Sequence, residues 1–146
     1  MKNLLLLLFV STIFFSCSET ENPDTSNLPQ EWILKGYKSV WVPEAGLTPL
    51  TDTTYQYRLE SDGTFEKKIG SYTLRGTFDF HTYEGEKKYV ILNYDEESYS
   101  ISEEWGGWGL IHYCGQNYES FTLLDSRTVQ GSWGNCDGPT LIFERK

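Results

Sequence analysis

Tyr55-Gln56-Tyr57-Arg58-Leu59-Glu60-Ser61-Asp62-Gly63-Thr64-Phe65-Glu66-Lys67-Lys68-Ile69 is the stretch that decides the fold. Tyr55, Tyr57 and Leu59 alternate with Gln56, Arg58 and Glu60, the two-residue period of a strand with one apolar face. Ser61-Asp62-Gly63 supplies turn chemistry, since Gly63 takes a positive φ without steric cost. Phe65 and Ile69 resume the apolar face, while Glu66 and Lys68 face solvent. The stretch reads as an antiparallel hairpin.

The same alternation extends in both directions. In Tyr72–His81, Tyr72, Leu74, Phe78 and Phe80 share a face, and Gly76 on that face marks a bend or a close backbone approach. Glu84-Gly85-Glu86 turns the chain into a strand at 89–94. Strands at 110–114, 118–124, 128–133 and 140–144 follow, and one at 37–42 opens the series. No segment carries a convincing amphipathic helical period. Short antiparallel strands joined by tight turns favour an all-β, up-and-down meander. Closing it removes exposed edges and predicts an antiparallel β-barrel of about eight strands, with a sandwich as the alternative.

At 146 residues the chain fits one domain. Its net charge of −9 speaks against nucleic acid, whose phosphates need clustered Lys and Arg, and against anionic membrane surfaces. Aromatic residues make up 16% of the chain, too many for a disordered body.

The N-terminus carries an address. Lys2 precedes an apolar run from Leu4 to Phe15, too short to span a bilayer comfortably but suited to a signal peptide. The run ends in Ser16-Cys17, which resembles the lipobox of bacterial lipoproteins, with Phe14 where the common pattern has Leu. The resemblance implies acylation of Cys17 and cleavage before it, so that the lipid supplies the membrane anchor. Ser18 after the cysteine, in place of Asp, implies the outer membrane and leaves open which of its faces carries the domain. Residues 18–30 are polar and hold two prolines, the composition of a flexible tether. The expected division is a signal peptide at 1–16, a tether at 17–31 and a folded domain at 32–146. The other two cysteines, Cys114 and Cys136, form an even pair in an exported chain and sit at one end of the predicted sheet, which reads as a disulfide.

The order of features in 32–146 resembles the lipocalin-like domains of small bacterial lipoproteins. The matching pieces are the aromatic strand before Ser61-Asp62-Gly63-Thr64-Phe65, the Gly76-Thr77-Phe78 strand, and Cys136-Asp137-Gly138-Pro139 ahead of the closing Leu141–Lys146. Gly36-Tyr37 and Trp41 stand where that family opens with Gly-x-Trp. The resemblance implies a calyx-type barrel.

Candidate chemistry gathers in two places. The segment 95–109, DEESYSISEEWGGWG, puts Trp105 and Trp108 among glycines and acids. Flat rings beside carboxylates suit sugars or small amphipathic ligands, and the plainer alternative is that Tyr99 and Ile101 form a short strand while the Trp rings plug a barrel end. Calcium would want six to eight oxygens, but no known calcium-loop spacing occurs there. Tyr55, Tyr57, Tyr72, Phe78 and Phe80 form an inner aromatic face, either core or the wall of a small apolar pocket. Ligand-binding candidates are therefore Trp105, Trp108, Tyr55, Tyr57, Phe78 and Phe80. His81 and His112 stand alone in predicted strands, and no Gly-x-Ser-x-Gly is present, so neither catalysis, a metal nor a cofactor is expected. The expected function is a lipid-anchored envelope protein whose lipocalin-like barrel binds a small apolar, amphipathic or sugar ligand. The alternative is a protein-interaction module, such as an envelope assembly factor or an enzyme inhibitor, built on a packed barrel.

Overall fold

In a computed structural model, residues 27–50, 54–83, 87–106, 109–114 and 116–146 are described. Cys17 and Trp108 lie outside them. Nine strands run β1 (Gln30–Lys38), β2 (Leu47–Pro49), β3 (Gln56–Leu59), β4 (Thr64–Ile69), β5 (Tyr72–Tyr83), β6 (Lys87–Tyr94), β7 (Tyr118–Leu123), β8 (Thr128–Gly131) and β9 (Thr140–Arg145). All pairings are antiparallel. Neighbours in sequence pair from β3 to β9, and β1 closes the circle by pairing with both β3 and β9. The result is a closed barrel of eight strands, with β2 added to the end of β1. Closure leaves few unpaired edges, which a sheet this long would otherwise expose.

The deciding hairpin forms as its residues dictate. Arg58 pairs with Glu66 and Leu59 with Phe65 across β3 and β4. Gly63 takes φ 85°, and Asp62 Oδ1 accepts from the Thr64 amide at 3.0 Å and its hydroxyl at 2.6 Å. Gly76 marks a close approach: a Cβ there would sit 1.9 Å from the Asn93 carbonyl oxygen on β6.

Inward side chains from all eight barrel strands meet in one core. Trp32, Tyr57, Phe121 and Phe143 meet edge to face, with ring centroids 5.1 to 5.6 Å apart. Leu59, Leu74, Val90 and Leu92 are fully buried beside them.

Three local readings are corrected by the structure. The opening strand is Gln30–Lys38, not 37–42; Trp32 and Leu34 point inward, and the chain leaves the sheet before Pro43. Gln30 and Glu31, the last residues of the expected tether, lie in this strand. Segment 96–104 is a helix, α1 (Glu96–Glu104), not loop or strand. The Asp95 carboxylate caps it by accepting from the Ser98 amide at 2.8 Å, and Glu96 and Glu97 sit at the positive end of its dipole. Its buried residues are Ser98 and Ser102, with Tyr99 and Ile101 half-buried against the core, so serines interrupt the packed face and blur any apolar period. Finally, 110–114 is not a strand. Leu110, Ile111 and His112 are buried in succession, whereas a barrel-wall strand would expose every second one.

The strand directions define two ends. β1 starts where residues 27–29 lead in, and its nine residues span about 30 Å. The chain's far end holds the β1–β2 connection, α1, segment 109–114 and the start of β9.

Candidate functional site

Segment 109–114 plugs the far mouth of the barrel, and buried charges hold it there. Lys67 on β4 and Glu119 on β7 point inward, with side chains 0% and 2% exposed, and pair at 2.8 Å. The Lys67 ammonium also donates to the Leu110 carbonyl of the plug. Glu119 Oε1 accepts from the His112 amide at 2.6 Å, and Oε2 accepts from the hydroxyls of Tyr57 at 2.6 Å and Tyr94 at 2.5 Å. That uses about all four lone-pair sites of the carboxylate. The ammonium lies 5.1 to 5.7 Å from the ring centres of Tyr55, Tyr57 and Tyr94, a cation–π cage.

His112 is satisfied on both ring nitrogens. Nε2 donates to the Gly109 carbonyl at 3.1 Å, which leaves Nδ1 to accept from the Tyr55 hydroxyl at 2.5 Å. The ring stacks on Trp133 at 4.0 Å and 9°. Burial pushes this imidazole down to about 3, and the Lys67 charge pushes the same way. For Glu119, burial raises the carboxyl, but Lys67 and the hydrogen bonds outweigh it and hold it below the usual range. Burial lowers Lys67 by more than Glu119 raises it. Burial and then Glu119 push the three tyrosines well up.

Such a cluster costs desolvation energy, and complete pairing is what makes it tolerable. Its acceptors are occupied and its side chains buried, so it serves to pin the plug. The space beside it, lined by Tyr55, His112, Glu119 and Trp133, measures about 10 Å³, room for about one water. Outside the barrel, the disulfide Cys114–Cys136 ties the plug to the 3-10 turn Ser132–Cys136, as the cysteine pairing predicts.

Of the candidate ligand residues, Tyr55, Tyr57 and Phe78 belong to one core cluster with Phe80 packed against it, and Trp105 stands apart. Tyr55 and Tyr57 belong to the buried cluster, and Phe78 is buried with its ring edge-on to half-buried Phe80. Trp105 lies at the far end, 56% exposed, with its ring edge against Tyr72. Trp105 is thus separated from the other four, and Trp108 lies outside the described residues. Among the described residues, no three His, Cys, Asp or Glu side chains converge as a metal site would require.

Lys67 and Glu119 escape a reading that assigns every charge to solvent. The signal is parity: Lys67 alternates with Phe65 and Ile69, and Glu119 with Phe121, so each occupies an inward position.

A second feature lies outside the barrel at the same end. Trp41 is 78% exposed in the β1–β2 connection, and Val42 beside it, Leu47 at the start of β2 and Leu50 just after β2 are also open to solvent. Isolated exposed apolar residues need no explanation, but four within ten positions do. No family model, curated protein or solved structure matches the chain.

Proposed function

We propose that this chain is a lipid-anchored outer-membrane protein whose barrel is a solid scaffold and whose β1–β2 hairpin docks a protein partner in the envelope. The observation that carries this reading is the exposed apolar hairpin beside a plugged barrel mouth, where the described residues leave little room around the buried cluster. Small-molecule pockets measure about 300 Å³ or more, against about 10 Å³ beside the buried cluster. Trp, with a large rigid surface, is among the commonest anchors of protein interfaces.

Position argues for a protein and against the bilayer as the occupant. The hairpin stands at the end of β1 opposite to where the chain leads toward Cys17, so acylation of that cysteine would put the bilayer at the other end. The net charge of −9 would repel an anionic surface and steer the domain toward a basic partner.

The test is site-specific photocrosslinking in cells that make the full chain. Probes at Trp41 and Leu47 should join one discrete envelope protein, and a probe at Leu124 near the tether end should not. Val42→Asp should abolish the adduct while leaving the far-UV spectrum unchanged. Adducts only to lipid or only to a second copy of the chain would overturn the reading, as would adducts equally strong at Leu124. Loss of acylation in a Cys17→Ser chain, read by mass, tests the anchor separately.

A further inference from the structure

The outer face of the barrel carries a concavity built from different chemistry. Across β6, β7 and β8, Tyr89 pairs with Thr122 and Thr122 with Gln130. Their neighbours Val90, Phe121 and Val129 point inward, so these three form an outward row. The 3-10 turn Ser132–Cys136 folds beside the row and contributes Asn135, and Thr140 of β9 closes it. The groove measures about 260 Å³, a little below the range of drug-sized pockets.

We infer that this groove is a binding site for a neutral, hydroxyl-rich ligand of about one sugar ring. The chain's net charge is −9, yet the groove is lined without a single Asp, Glu, Lys or Arg. A charged ligand would lose water there with no counter-charge to replace it. An apolar ligand would strand the polar lining. Thr122, Gln130 and Thr140 are half-buried, and their side chains hydrogen-bond to no described residue. Hydroxyls and carboxamides both donate and accept, as sugar hydroxyls do, and the Tyr89 ring offers a flat apolar surface to the C–H face of a pyranose.

The wall is built in advance. Cys136 is tied to Cys114, Trp133 stacks on His112, and Gly134 packs so closely that a Cβ would lie 2.6 Å from Thr140 Oγ1. A fixed wall spares the ligand the cost of ordering it.

Val40 of the β1–β2 connection lines one edge of the groove, but the polar groups that would hold the ligand come from β6, β7, β8 and β9, so the inference does not rest on the hairpin reading. The test is amide-resolved NMR of the full chain titrated with methyl β-D-glucopyranoside, N-acetylglucosamine and cellobiose. At least one should bind with a Kd near 1 mM, which is about 4 kcal/mol, and shift the amides of Tyr89, Thr122 and Gln130. Gln130→Ala and Tyr89→Ala should each weaken it about tenfold, as should reduction of the disulfide. Glucuronate and glucosamine should bind about tenfold more weakly than their neutral counterparts. Absence of shifts at about 10 mM of all three neutral sugars would overturn the site, as would shifts centred elsewhere or equal binding of the charged sugars.

Discussion

Lys67 and Glu119 are each other's main compensation for burial, so removing one leaves the other as a buried, unpaired charge. Lys67→Met should cost about 3–5 kcal/mol, read from urea unfolding, and Lys67→Met with Glu119→Gln should cost less than the sum of the two single changes. His112 makes a pH prediction. Its folded value is depressed from 6.5 to about 3, so between those limits the unfolded chain holds a proton that the folded chain refuses. Stability should therefore fall as pH drops through that window, by up to about 1.4 kcal/mol per pH unit. Glu119, also depressed, adds to the loss once pH falls below the unfolded carboxylate range. His112→Gln should flatten the slope between pH 6.5 and the carboxylate range, as urea midpoints against pH would show. Little of this cluster was legible in the sequence. Lys67 and Glu119 stand 52 positions apart, and only strand pairing and the plug bring them together. Strand parity marks both positions as inward, while their charge alone points to solvent.

At the level of elements, the strands were legible because their buried faces are apolar. Tyr57 and Leu59, Phe65, Leu74 and Phe78, and Val90 and Leu92 keep a strict period of two. Helix α1 was not, because its buried positions are serines and its only clear sequence mark is the Asp95 cap. The plug was not, because its course is fixed by side chains from β4 and β7 and by a disulfide, none of them local. The cysteines themselves were legible as an even pair. The bridge spans 22 positions and should contribute about 3 kcal/mol. Cys114→Ser with Cys136→Ser should lower stability by about that amount under oxidising conditions and make it insensitive to dithiothreitol. An unchanged midpoint would show that the plug holds through its buried hydrogen bonds alone.

As a whole molecule, the protein combines a closed wall, a core drawn from all eight barrel strands and a far end where the hairpin, the plug and Trp105 all emerge. The closed barrel followed from the meander of strands. Whether it would be hollow did not, because Tyr55, Tyr57 and Phe78 serve equally as core or as pocket wall in a sequence pattern. The central claim is that recognition takes place on the outside of a packed barrel. Methyl-resolved NMR of the full chain, titrated with a long-chain fatty acid, tests it most directly. The methyls of Leu59, Val90 and Leu92 should keep their positions and show no contacts to the acyl chain. Saturable shifts of those three, with intermolecular contacts to the acyl chain, would contradict it.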